Sequence, residues 1–235
     1  MKTLLHVLLL LQAPFAWPFS AVSGKSSLLE SDKEAVRQQL GYLPPNFLAV
    51  SARNINGAPV AIQAYPLDGG APRRQAKAAR SLSESTFVGT PFPTLYWLTC
   101  PAISKAIAEM ERNGYVGVLE NRLKEDPAAV DRLFRCHKEY ARERWECLSE
   151  EDRNRLTLTD SSSIQRMRGM LETSGIAGTN TTSLQQDGSL LPSIKCLHAH
   201  YADFRSTSSG ADRTENPVGR MVHDLLVGEF PSVRL

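Results

Sequence analysis

The sequence lacks the short motifs that mark the commonest nucleotide-binding and hydrolytic sites. It contains no G-x-x-x-x-G-K-[ST], no G-x-G-x-x-G, no G-x-S-x-G and no H-E-x-x-H. As far as motifs can, this excludes a P-loop, a dinucleotide-binding turn, a serine-hydrolase elbow and a zincin site. None of the four cysteines, at positions 100, 136, 147 and 196, forms a C-x-x-C pair, which excludes a zinc ribbon and a thioredoxin-type motif.

The cysteines are also too few to build a disulfide scaffold, and the charge is nearly balanced. We expect free thiols, or one or two disulfides if the protein stays in an oxidising compartment. The 27 basic and 25 acidic side chains leave a net charge of +2. Because no strong basic footprint results, we expect neither nucleic acid nor an acidic membrane as a main partner.

Apolar runs long enough to cross a bilayer are absent. Residues 4–11 form a short leucine-rich run after the basic Lys2, which predicts a secretory signal peptide in residues 1–19. Residues 20–32 are rich in serine and are interpreted as a transit or linker segment. The leader resembles the bipartite leaders of algae with secondary plastids, so two destinations stay open: such a plastid, or secretion into a lumen or the medium. No transmembrane segment is predicted in the mature chain.

Three segments have the apolar, β-branched and aromatic character of strands, at residues 47–52, 60–65 and 95–98. The first two are joined by Asn56-Gly57, a strong hairpin signal because both residues tolerate positive φ. Residues 68–88 are rich in glycine, alanine, arginine and serine and predict an insertion loop. These patterns predict a small three-stranded antiparallel sheet.

Helical patterns account for most of the remaining chain. Ile103, Ala106, Ile107 and Met110 recur at helical spacing after Pro101. Asp126-Pro127 predicts the start of the longest helix, with Asp126 as N-cap. Other helices are predicted at residues 32–40, 116–124, from 149, around 196 and from 217. The sequence therefore predicts an α+β fold, mainly α-helical, with about six helices in one domain at 33–228 and a tail at 229–235.

Four separate stretches resemble an uncharacterised bacterial family, the "domain of unknown function 501" proteins. The stretches are residues 91–101, His137-x-x-Tyr140-x-x-Glu143-Arg144, residues 195–198 and Asn216-Pro217-x-Gly219. They occur in consistent order over residues 33–228. Because this family has no established activity, the resemblance implies no mechanism. The leader indicates a eukaryotic, organelle-directed version.

The segment at residues 195–205 concentrates side chains that bind metals, move protons or act as nucleophiles. Ser193 is a plausible N-cap, which would place Cys196 at the third helical position. At about 100° per residue, Cys196, His200 and Asp203 fall on one flank of an apolar stripe, and His198 falls on the other. Ile194, Leu197, Tyr201 and Phe204 form that stripe.

Three functions are compatible with this segment. In the first, Cys196 with His200 or Asp203 binds a metal such as Zn²⁺, completed by Cys100 and His137. In the second, Cys196 is the nucleophile of a cysteine-dependent enzyme with a histidine such as His198 as base. In the third, these residues are structural and the protein is a non-catalytic interaction module.

Further polar residues carry the resemblance without deciding between these functions. Tyr140, Glu143 and Arg144 either bind an anion or form an interhelical polar network, and the network is favoured. Asn216 precedes a proline at the start of the last predicted helix. Our leading hypothesis is a small-ligand or metal-binding domain with a Cys/His-lined cleft around Cys196. Whether it is an enzyme, and whether it uses a cofactor, with zinc as the candidate, stays open.

Overall fold

A computed structural model describes residues 24–68, 89–181, 192–207, 213–233 and 235. The predicted signal peptide lies outside the described residues, as does the predicted insertion loop except for Asp68. No helix in the described ranges is both long and apolar enough to span a membrane.

The three predicted strands form one antiparallel sheet in the order β1, β2, β3. Strand β1 is Phe47–Arg53, β2 is Pro59–Ala64 and β3 is Tyr96–Leu98. Gly57 has a φ of 79° in the β1–β2 turn, a backbone conformation that glycine adopts without steric cost. The predicted three-stranded sheet is therefore confirmed, with no strand end shifted by more than one residue.

Eight α-helices occur within the described ranges, against a prediction of about six, and the mainly helical α+β class is confirmed. The first helix begins before its predicted start at Asp32, and one helix between 162 and 173 was not predicted at all. The helices are α1 Gly24–Leu40, α2 Pro101–Arg112, α3 Tyr115–Lys124, α4 Pro127–Glu146, α5 Glu150–Leu158, α6 Ser162–Thr173, α7 Leu197–Thr207 and α8 Pro217–Glu229.

Helix α7 is the centre of the packing. It contacts all three strands on one side and helices α2 and α8 on others. The predicted apolar stripe of this helix is confirmed, since Ile194, Leu197, Tyr201 and Phe204 are all buried. A second, smaller apolar cluster forms between α5 and α6, around Leu156 and Leu171.

Arg144 on α4 joins these two parts of the core. Its side chain is fully buried, and its guanidinium donates to the main-chain oxygens of Pro93, Met170, Leu171 and Ser174. No carboxylate pairs with it in the described part of the chain. Instead it supplies donors to carbonyls at the end of α6, such as that of Leu171, and to those of Ser174 and Pro93 outside the helix. This contact belongs to a structural network, as the sequence favoured.

Replacing Arg144 should therefore destabilise the fold strongly. We expect Arg144→Met to lower the free energy of unfolding by about 3 kcal/mol, because several buried carbonyls lose their donor. Urea denaturation measures the change. Arg142→Ala on the same helix, where the arginine side chain is 67% exposed, is the control and should stay within about 0.5 kcal/mol of the wild type. Equal effects of the two substitutions would contradict this role.

Candidate functional site

Cys196 lies immediately before helix α7, and its main-chain oxygen accepts the bond from His200 N at 3.3 Å. The prediction that Ser193 caps the helix and that Cys196 is its third residue is therefore wrong. The first helical N–H, on Leu197, donates to Glu111 Oε1 at 2.7 Å. A carboxylate from α2 thus supplies the cap in place of the serine, and the helix begins later than the local sequence indicates.

Because Cys196 precedes the first turn, its side chain does not follow the helical phase that separated it from His198. One ligand atom each of Glu111, Cys196 and His198 lies within 4.8 Å of the other two. All three side chains are half-buried. In the described ranges, no other three histidine, cysteine or acidic side chains come this close. The inference that Cys196 and His198 cannot share one ion is corrected by this geometry.

Both ring nitrogens of His198 have partners on α2. Nδ1 lies 3.3 Å from Glu111 Oε2, and Nε2 lies 3.0 Å from the main-chain oxygen of Ser104. Burial alone would lower the pKa of His198. Hydrogen bonds with Cys196 and the Ser104 carbonyl and the charge of Glu111 outweigh it and raise the pKa to about 9. The ring is therefore an imidazolium ion at neutral pH and donates from both nitrogens.

Cys196 and His198 lie on the wall of a cleft with a volume of about 560 Å³. Strand β3 forms part of the cleft wall. The loop before β3 and the segment after α1 contribute residues with aromatic rings. The described lining residues are Tyr42, Phe92, Thr94, Tyr96, Trp97, Leu98, Ala177, Cys196, His198 and Ala199. This volume lies within the range of about 300–1,000 Å³ that small-molecule sites occupy.

His137, a predicted metal ligand, lies away from this cleft in the core. Its Nδ1 accepts a hydrogen bond of 3.1 Å from Ile176 N, so in the neutral ring Nε2 carries the proton. Neither nitrogen then has a lone pair for a metal. Gly175 packs so closely that a Cβ there would lie 2.6 Å from His137 Nδ1. The contacts of His137 are therefore those of a structural residue.

His200 and Asp203, also predicted ligands, face α8 instead of the cleft. Both are fully buried. Asn216 caps α8 by accepting from Gly219 N at 3.0 Å. Its amide donates to Asp203 Oδ2 at 2.9 Å and lies 3.2 Å from His200 Nδ1. A Cβ on Gly219 would lie 2.6 Å from the main-chain oxygen of His200, so the two helices cross in close contact.

Asp203 also belongs to a buried ionic network centred on Arg213. Arg213 lies 3.1 Å from Asp203 Oδ1 and 2.8 Å from Glu143 Oε2. The hydroxyl of Tyr96 donates to Glu143 Oε1 at 2.5 Å. Burial raises the pKa of Asp203 to about 6 although Arg213 opposes the shift. Glu143 therefore pairs with Arg213 and Tyr96, and not with Tyr140 or Arg144.

Tyr140 and Cys100 each accept a hydrogen bond from a main-chain N–H. The hydroxyl of Tyr140 accepts from Leu95 N at 2.6 Å and so holds the start of β3. Cys100 occupies the N-cap of α2, where its main-chain oxygen accepts from Ser104 N at 3.0 Å. All four cysteines are free thiols in this structure.

The structure thus keeps two of the predicted site residues together and separates the others. Cys196 and His198 share one site, whereas Cys100, His137, His200 and Asp203 do not join them. Glu111 was missed, because on an amphipathic helix it resembles any solvent-facing acid. Only its contact with Leu197 N, 86 positions along the chain, distinguishes it.

The buried histidine in the core should make the fold sensitive to acid. Burial, with smaller effects of His200 and Lys195, lowers the pKa of His137 to about 3. Below its ordinary pKa of 6.5 the unfolded chain binds a proton there that the folded protein refuses until about pH 3. This group therefore removes about 1.4 kcal/mol of stability per pH unit across that window.

We expect His137→Gln to reduce the dependence of unfolding free energy on pH by about one proton between pH 5.5 and 4. Urea denaturation at several pH values measures this difference, in which the contributions of His200 and Asp203 cancel. His223→Gln, at a less buried ring, is the control and should change the slope less. An unchanged slope in His137→Gln would show that His137 is already protonated in the folded state.

A protein-family model described as "Protein of unknown function (DUF501)" matches residues 50–224. The match covers most of the chain, so the protein belongs to this family, as the resemblance indicated. No curated protein matches the chain. No solved structure matches it.

Proposed function

We propose that this DUF501 protein binds a divalent metal ion, with Zn²⁺ the best suited, through Cys196 Sγ, His198 Nδ1 and the carboxylate of Glu111. The single observation that carries the proposal is the convergence of their ligand atoms within 4.8 Å. In place of the predicted Cys100, His137, His200 and Asp203, the proposal uses Glu111 and His198.

The donor set suits zinc. A thiolate, an imidazole and a carboxylate are all common ligands of Zn²⁺, at about 2.0–2.3 Å. Soft sulfur favours zinc over magnesium or calcium, which prefer oxygen. Three protein ligands are also the number typical of sites that keep one position for water or substrate. The half-buried position beside the cleft supports such an open fourth position.

The surrounding contacts support the same assignment. Metal-binding histidines commonly donate their second N–H to a main-chain carbonyl, which fixes the tautomer. His198 Nε2 has such a partner in Ser104, 3.0 Å away. Glu111 Oε1 is held by Leu197 N, so Oε2 remains directed at His198. A bound cation would take the place of the proton that His198 Nδ1 otherwise shares with Glu111.

The closeness of Cys196 and His198 also favours a second candidate, a metal-free nucleophilic thiol. The two side chains are hydrogen-bonded and both line the cleft. Positive charge nearby and a helix N-terminus both promote thiolate reactivity in proteins. Against this candidate, Nε2 of His198 is bound to the Ser104 carbonyl, so the ring has no second nitrogen available for a substrate.

Metal binding by purified protein separates the two candidates. We expect one equivalent of Zn²⁺ to bind, and Cys196→Ser or His198→Gln to weaken binding by at least about 100-fold. Glu111→Gln should also weaken it, although glutamine can still accept from Leu197 N, so the loss reports the carboxylate and not the helix cap. Isothermal titration against a competing chelator measures the affinities.

Cys147→Ser is the matched control, since Cys147 is a half-buried free thiol outside the site and its loss should leave zinc affinity unchanged. If zinc fails to bind the wild type, or if Cys147→Ser weakens it as much as Cys196→Ser, the metal proposal is wrong. A metal-free protein whose Cys196 nevertheless reacts with iodoacetamide faster than Cys147 would favour the nucleophilic thiol.

A further inference from the structure

The cleft beside the proposed metal site is lined mainly by aromatic and aliphatic groups. Trp97, half-buried on β3, is the central ring. The ring of Phe92 lies 5.6 Å from it and that of Tyr42 lies 6.4 Å from it, between centroids. These three rings come from separate segments and leave part of their surface exposed. Such half-exposed aromatic clusters bind apolar groups at little cost in conformational entropy.

Among the described residues that line the cleft, polar side chains are those of Tyr42, Thr94, Tyr96, Cys196 and His198, besides the indole of Trp97. Of the described residues that line the cleft, none is lysine, arginine, aspartate or glutamate. The hydroxyl of Tyr96 is bound to Glu143, so it is not available to a ligand in the cleft. A charged or many-hydroxylated ligand would lose hydration along such a wall without gaining partners. A metal ion held by Cys196, His198 and Glu111 would supply a strong partner for one polar atom of the ligand.

We propose that the cleft takes a small, uncharged organic molecule with an aromatic or other flat apolar body and one metal-binding oxygen, nitrogen or sulfur group at its end. The body lies against Trp97, and the donor group fills the open position of the metal held by Cys196, His198 and Glu111. This inference rests on the proposed metal site. It adds the class of ligand, which the metal-binding residues alone do not specify.

Three hydroxamate-related probes test it on zinc-loaded protein. Benzohydroxamate has both the apolar body and the donor group, acetohydroxamate lacks the body, and benzamide lacks the chelating group. We expect benzohydroxamate to bind at least about tenfold more tightly than acetohydroxamate, because burying a phenyl ring is worth roughly that factor or more. It should also bind at least about tenfold more tightly than benzamide, because benzamide has the ring but cannot chelate the metal. Calorimetry with each probe measures the three affinities.

Two variants test whether the phenyl ring of the probe lies against Trp97 and Phe92. Trp97→Ala and Phe92→Ala should each reduce the preference for benzohydroxamate over acetohydroxamate, while zinc affinity stays at the wild-type value. Zinc affinity thereby serves as the folding control for both. Trp145→Phe, in the second apolar cluster, should leave the preference unchanged.

The outcomes separate the ligand from the metal. Equal affinity for benzohydroxamate and acetohydroxamate on zinc-loaded protein would overturn the ligand class and leave the metal site standing. The same conclusion holds if neither aromatic substitution changes the preference. A protein that binds no zinc would overturn both proposals.

Discussion

The carboxylate of Glu111 determines the geometry around which the candidate site forms. One of its oxygens receives the first N–H of α7, and the other faces the ring of His198. That cap comes from α2, the helix begins at Leu197, and Cys196 lies in the irregular segment before it. Cys196 is thereby freed from the helical phase and reaches the same point as His198. Without this contact, the two side chains would lie on opposite flanks of a regular helix.

The remaining polar side chains of α7 illustrate a different constraint. His200 and Asp203 are fully buried, and burial requires partners for both. Asn216 lies beside His200 Nδ1 and caps α8, and Arg213 pairs with Asp203. The second ring nitrogen of His200, Nε2, has no hydrogen-bond partner among the described residues. These residues are needed because α7 packs on almost every side. Reactive residue types in this helix therefore divide into two groups, one that opens on the cleft and one that satisfies the core.

The fold could be predicted largely from local patterns. Asn56-Gly57 marked the hairpin, and Asp126-Pro127 marked the start of the longest helix, which the structure confirms with Asp126 accepting from Ala129 N. Helix α6 was missed because its buried stripe has only Ile164, Met167 and Leu171, following a serine-rich start.

The candidate site was predictable only in part. Cys196 and His198 drew attention through their residue types alone. The role of Glu111, and the meeting of Tyr42 with Trp97, depend on contacts between distant segments, which no local period encodes. The error about the start of α7 has the same origin, since the local sequence offered Ser193 as cap and a tertiary contact replaced it.

The proposed metal site requires that one sulfur, one imidazole and one carboxylate bind the same ion. X-ray absorption at the zinc edge, recorded on protein loaded with one equivalent of Zn²⁺, tests this directly. We expect a shell with a single sulfur at about 2.3 Å and nitrogen or oxygen neighbours at about 2.0–2.2 Å. A spectrum without sulfur, or with two or more sulfur neighbours, would contradict the site formed by Cys196, His198 and Glu111.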